Sequence, residues 1–288
     1  MSEDDKAIYH APLQDTTDPL PTTLETFARK PDEELVPVDK GMVTSVWTAT
    51  HEVKALLAPS KGLVWGWRHI EKQVLPAVAE RLKGIPRERW KEPPLFLAGP
   101  ILEALRFAGP EVHLRDLYVR LLATAMDEKA VTKAHPAFVE IIRQLTPDEA
   151  RIVKYMAEKP VIPLLTVCYS EGSPNGQIEY LKYFTTMGHD AGCDHPEHLI
   201  AYFGNLCRLG LTDIPRYTSL KVKGIYEPLR DHPHVTDVRE LLQRQGKHPE
   251  LVHGLIELTA LGKLFCEACV TDGPAIRSTA RATSFDIY

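Results

Sequence analysis

The sequence predicts a mainly α-helical protein in which a helical N-terminal domain is followed by a winged-helix-like α+β C-terminal domain. Three observations carry this. Apolar residues recur at helical spacing from Met42 to Glu158. After Lys159-Pro160 the texture changes to short β-type runs separated by turn residues. The chain has 288 residues, 44% of them hydrophobic, 25% charged and 8% aromatic, enough to bury a core in one large domain or two smaller ones.

Residues 1–40 hold Pro12, Pro19, Pro21, Pro31 and Pro37 among acids and threonines, and read as an extended or disordered leader. A helical domain over 41–145 comes next. Its helices are placed at Val43–Leu57, at Gly62–Leu82 with Pro76 bending or splitting it, and at Leu95–Phe107 interrupted by Pro100. The clearest helix runs from Glu111 to Asp127, where Leu114, Leu117, Tyr118, Leu121, Leu122 and Ala125 form one stripe. Phe138, Ile141, Ile142 and Leu145 repeat that spacing after Pro136.

The second domain is assigned to 146–270. Thr146-Pro-Asp-Glu149 reads as a capping box opening a helix over 147–158. VIPLLTVCY (161–169) and Ile178–Thr186 read as strands joined by a turn. A helix over 196–209 ends at Gly210, and LTDIPRYTSL reads as extended. A surface helix over 236–245, a short strand LIEL (255–258) and a last helix capped by Thr259 complete the order expected of a helical core with a two-stranded ribbon. Residues 271–288 read as a polar tail.

The net charge of −5 is uneven. Residues 1–35 carry nine acids and three bases, so the acidity belongs to the leader and the remainder is near neutral. The acidic N-terminus lacks the basic and apolar regions of a secretory signal, and the odd set Cys168, Cys193, Cys207, Cys266 and Cys269 shows no regular framework. Reduced thiols and a cytoplasmic location are the expectation. Uncharged runs such as 93–102 are too short to span a bilayer, so no transmembrane segment is predicted. Trp65 and Trp67 in LVWGWRHIEKQV read as core aromatics, with an interfacial, membrane-perturbing use of residues 55–82 as the lesser alternative.

The segments GIPRERWKEPPLFLAGPILEALRFAG (84–109), LRDLYVRLLATAMD (114–127), AHPAFVEIIRQLTPDEARIV (134–153), NLCRLGL (205–211) and IELTALGKLFCEAC (256–269), taken in order, resemble the abortive-infection alpha family. The combination of HPxF, QLxPDEA and LTxxGxxFxxAC carries the likeness. The stretch 161–195 is longer and richer in Cys and His than the family pattern, Cys266 is unusual beside Cys269, and the acidic leader has no counterpart. What the resemblance implies is a bacterial or phage-encoded part of anti-phage defence, in which an infected cell stops growing or dies before the phage matures. It carries no catalytic residues and no cofactor onto this chain. Read as residues, Phe138 is a core anchor, His135 a cap or core hydrogen-bonding group, and Asp148 and Glu149 are charges favoured at a helix start.

Candidate chemistry is sparse. GxSxG, GxxxxGK[ST] and HExxH are all missing from the sequence, and a non-enzymatic protein is expected. His189, Cys193, His195 and His198 offer zinc-type ligands within ten residues, but at no familiar finger spacing, so a polar loop is the preferred reading. Cys266-x-x-Cys269 lies on a helical stripe and lacks a second pair. For nucleic acid, the alternative partner, the basic set is Arg208, Arg216, Lys221 and Lys223, the last three placed in the ribbon. The preferred use is contact with a protein partner or self-association into an oligomer, as sensor, adaptor or effector; the alternative is a winged-helix DNA-binding regulator.

Overall fold

A computed structural model of the chain describes residues 70–170 and 176–271, together with residues 50, 52–55 and 57. The expected acidic leader, the helix starts at 43 and 62, Trp65, Trp67 and the polar tail from 272 lie outside the described residues. The described residues belong to one compact unit.

The architecture is helical and α+β: a bundle packs on one face of a four-stranded antiparallel sheet, and two further helices pack on the other. A π-helical turn over Ile70–Val74 leads into α1 (Leu75–Leu82), with Pro76 in the first helical turn. The proline has no N–H and its ring crowds the carbonyl four residues back, so the helix widens just before it. α2 (Leu95–Ala108) runs through Pro100 without a break, contrary to the interruption expected there. Leu97, Ala98, Ile101, Leu102 and Leu105 are buried on both sides of the proline, while exposed Phe96, whose carbonyl loses its partner, sits on the outer face where water can reach.

α3 (Val112–Met126) is the central strut and buries Leu117, Tyr118, Leu121, Leu122 and Ala125 as its spacing predicts. It touches α1, α2, α4 (Ala137–Arg143) and α5 (Pro147–Glu158), and so is apolar over much of its circumference. The ring nitrogen Nδ1 of His135 accepts a 3.1 Å bond from the Ala137 N–H, so this histidine caps α4. Phe138 is fully buried, edge-on to Phe265 with ring centroids 5.3 Å apart. The capping box at Thr146 forms in full: the Glu149 N–H donates to Thr146 Oγ1 at 3.2 Å and the Thr146 N–H to Glu149 Oε2 at 2.7 Å.

The sheet has the order β2-β1-β4-β3, with β1 Val161–Ser170, β2 Gln177–Phe184, β3 Thr212–Asp213 and β4 Pro249–Leu258. Two expectations need correction. The expected short strand LIEL is a ten-residue strand, in register with β1 from Val161↔Glu257 to Tyr169↔Pro249. His253 and Gly254 interrupt its apolar alternation, and it is the neighbouring strand that extends it. The expected ribbon over LTDIPRYTSL is limited to Thr212–Asp213, and residues 214–223 form a loop, so Arg216, Lys221 and Lys223 are not on a strand.

Alternation splits the sheet between two cores. Ile162, Leu164, Ile256 and Leu258 face the helical bundle, in a cluster that also contains Val53, Phe138, Ile152, Phe203 and Phe265, and so draws on both 41–145 and 146–270. Leu165, Val167 and Tyr169 face a second cluster with Leu229 of α8 (Glu227–Arg230) and Val235 and Leu242 of α9 (Pro233–Arg244). α6 (Met187–Asp190) and α7 (Leu199–Arg208) join β2 to β3, and α10 (Ala260–Cys269) closes the bundle against α3. All five cysteine thiols are free.

Candidate functional site

The start of α5 favours acids because its first N–H groups point outward, yet Asp148 and Glu149 are almost wholly buried. Asp148 accepts 2.9 Å bonds from the backbone N–H groups of Asp194 and His195 and a 3.1 Å bond from the Tyr202 hydroxyl, and it pairs with Arg151. Burial by itself raises this carboxyl's pKa, but the two N–H groups, Arg151 and Tyr202 outweigh it and hold it down to about 2. Tyr202 responds in the opposite sense: burial, then its bond to the Asp148 carboxylate, push its hydroxyl up to about 12. Arg151 also reaches Asp194 at 2.7 Å and donates to His113 Nε2 at 3.1 Å.

Glu149 accepts a 2.8 Å bond from Asn205 of α7, which also donates to the Gln144 carbonyl. Arg208, a candidate for binding nucleic acid, reaches Gln144 Oε1 at 3.0 Å and Asn205 Oδ1 at 2.6 Å, so it helps join α7 to the end of α4.

Asp148 thereby pins the loop between α6 and α7. The four histidine and cysteine candidates, His189 on α6 and the others in that loop, separate. The Cys193 thiol turns inward toward the Asp148 carbonyl at 3.8 Å, and burial, then the neighbouring Asp148, push it up to about 11. His189 lies on α6, exposed on the wall of a groove that Glu197 also lines. His195 and His198 converge on Glu197: His195 Nδ1 lies 3.2 Å and His198 Nε2 3.9 Å from Glu197 Oε1. Glu197, the carboxylate within the run His-Pro-Glu-His, is the group that the two histidines share.

β2 is an edge strand, and it is irregular. Leu165 pairs with Phe184, Val167 with Leu181 and Cys168 with Glu179, so Lys182 and Tyr183 together stand opposite Thr166, one residue too many, and Tyr180 is a second extra residue on β2. Tyr183 has φ +53° and donates its N–H to Thr166 Oγ1 at 3.1 Å. Bulges and charges of this kind blunt an edge against pairing with another strand and re-aim its side chains. Here they turn β2 toward two grooves. One, of about 710 Å³, is floored by Thr166, Cys168, Val252 and Gly254 and walled by Lys182, Tyr183, Arg216 and Tyr217. Tyr217, wholly exposed with φ +59°, is the other non-glycine residue among the described residues with a left-handed backbone. The second groove, about 510 Å³, lies between the end of β2 and the starts of α7 and α9, with Glu197, His189, His232 and His234 on its walls. Phe184 packs on the rings of His232 and His234 there.

Arg216, Lys221 and Lys223 lie on the loop 214–226, at the surface of the molecule. Tyr226 anchors that loop: its hydroxyl donates to the Gly254 carbonyl at 2.8 Å and accepts from the Leu220 N–H at 2.9 Å, while its ring stacks on His253 at 4.1 Å.

Residues 67–269, spanning both the helical bundle and the sheet, match the family described as abortive infection alpha. The chain belongs to that family. Among curated proteins nothing matches. One solved structure, an uncharacterized protein from the hydrocarbon-degrading marine bacterium Alcanivorax borkumensis SK2, is 20% identical, with the match covering 45% of this chain and 89% of that one at a TM-score of 0.30.

The segments that carry the abortive infection alpha resemblance have structural roles in this chain. HPAF caps and anchors α4, and PDEA supplies the carboxylates that tie α5 to α7. LTALGKLF brings α10 against the end of α7: a Cβ on Gly262 would lie 1.9 Å from the Leu211 carbonyl oxygen, so only glycine fits. Cys266 and Cys269 are buried in the bundle; burial pushes Cys266 up to about 12 and Cys269 well above the ordinary thiol range, the reverse of an activated thiol.

Proposed function

We propose that this abortive infection alpha protein is a non-enzymatic component of anti-phage defence in the cytoplasm, acting through contacts with a protein partner or a second copy of itself as sensor, adaptor or effector. The family match over 67–269 carries the defence reading. The contact reading is favoured by exposed apolar and aromatic side chains: Tyr217 and Val222 on the anchored loop 214–226, and Ile178 and Tyr180 on β2. An anchored loop offers apolar and aromatic area at low entropic cost. On this proposal the β1–β2 hairpin with α7 and α10 is a winged-helix-like module put to protein contacts.

Expression in a bacterial host under phage challenge tests the reading. Fewer plaques with growth arrest of infected cells, and partners or further copies co-purifying, are expected; normal plaque numbers without arrest overturn it. Tyr217→Ala combined with Val222→Asp should abolish protection and co-purification while thermal unfolding stays unchanged.

A DNA-binding regulator is the second reading, favoured by Arg216, Lys221 and Lys223 on one surface loop. Against it, Arg208 is engaged with Gln144 and Asn205, and three cations are few for phosphate neutralisation. A mobility shift on duplex DNA that weakens steeply with salt would favour it, and no shift at about 50 mM salt would remove it. For the membrane-perturbing reading, among the described residues no helix is long and apolar enough to cross a membrane. Residues 58–69, which include both tryptophans of that stretch, lie outside the described residues.

A further inference from the structure

We propose that His195, Glu197 and His198 form a binding site for a divalent late-transition cation of the zinc type. Their ligand atoms all lie within 4.8 Å of one another, and the two closest approaches to Glu197 Oε1 are 3.2 and 3.9 Å. A tetrahedral zinc with bonds of about 2.0–2.1 Å needs ligand atoms about 3.3 Å apart. Side-chain rotations that move the ligand atoms by about an ångström or less therefore close the set around one ion, without movement of the backbone.

The backbone is held where the site needs it. The His195 N–H is bonded to buried Asp148, as is that of Asp194, whose side chain is clamped by Arg151. Gly188 admits Pro196 so closely that an added Cβ would stand 3.1 Å from its ring. His198 lies edge-on to Tyr202, whose hydroxyl is on the same Asp148 carboxylate. One buried residue of the PDEA segment thus holds the His195 backbone and, through Tyr202, backs His198, the kind of support that tunes metal sites from behind their ligands.

Two imidazoles and a carboxylate select zinc, nickel, copper or iron(II) over magnesium and calcium, which prefer oxygen alone. The three side chains are each more than half exposed, so the remaining coordination position is reached from solvent, by water or by a donor on another molecule. Cys193, the thiol nearest in sequence, is turned inward and takes no part. The site stands independently of the defence reading.

Isothermal titration of Zn²⁺ into the full, tag-free chain tests it. One equivalent should bind with a micromolar dissociation constant, and Mg²⁺ should not compete. His195→Ala, Glu197→Gln and His198→Ala should each weaken binding more than about tenfold, with the helical circular dichroism spectrum unchanged, while His189→Ala and Cys193→Ser retain it. Co²⁺ in place of zinc should give visible d–d bands without a thiolate charge-transfer band. Absence of saturable binding, undiminished binding in the His195→Ala/His198→Ala double variant, or a thiolate band each overturns the proposal.

Discussion

Asp148 turns a residue type common at helix starts into a buried junction, because the loop after α6 brings two N–H donors and α7 brings a hydroxyl to the same carboxylate. Its pKa of about 2 lies below the unfolded value near 3.8, so the ionised side chain stabilises the fold above pH 4 and that contribution is lost as pH falls through about 2. The corresponding free energy is about 2 kcal/mol. Asp148→Asn should therefore lower the urea-unfolding free energy by about 2 kcal/mol at pH 7, and the gap to the parent protein should narrow between pH 4 and 2. A constant gap over that range would mean that the carboxylate's charge is not what stabilises the junction. The sequence marks Asp148 as a helix-start acid; the residues that bury it are 46 and 54 positions away and share no local pattern with it.

At the scale of elements, α10 shows a cap and a close approach working together. Thr259 Oγ1 accepts from the Gly262 N–H at 2.9 Å and donates to the Gly210 carbonyl at 2.6 Å, drawing the helix start onto the turn after α7. Gly262→Ala should cost at least about 2 kcal/mol, because a methyl cannot share space with a backbone carbonyl. Thr259→Ala should cost about 1 kcal/mol. Chemical denaturation of both variants checks the order: if the alanine at 262 is tolerated, α10 has more freedom at its start than this packing allows. Capping boxes, helix stripes and the β1 run were legible because each is written within ten residues or so, as at Thr146–Glu149 and Leu114–Ala125. β4 and the loop 214–223 were not, because pairing with β1 and anchoring by Tyr226 decide them. The continuity of α2 through Pro100 likewise depends on burial of the turns on either side.

For the whole molecule, the described residues make one compact unit, and the acidic balance of the chain resides before residue 36. Deleting residues 1–40 should shift Tm by less than about 2 °C, corresponding to under about 1 kcal/mol; a collapse of Tm would place the acidic arm in the core. Periodicity and short motifs were enough to specify the helical bundle, the caps, the change to strands after Pro160 and the family. The four-stranded sheet, the two grooves beside β2 and the donors that meet at Glu197 were settled by folding in three dimensions. These depend on residues far apart in the chain being buried against one another, and no local spacing encodes a contact whose partner is chosen by packing.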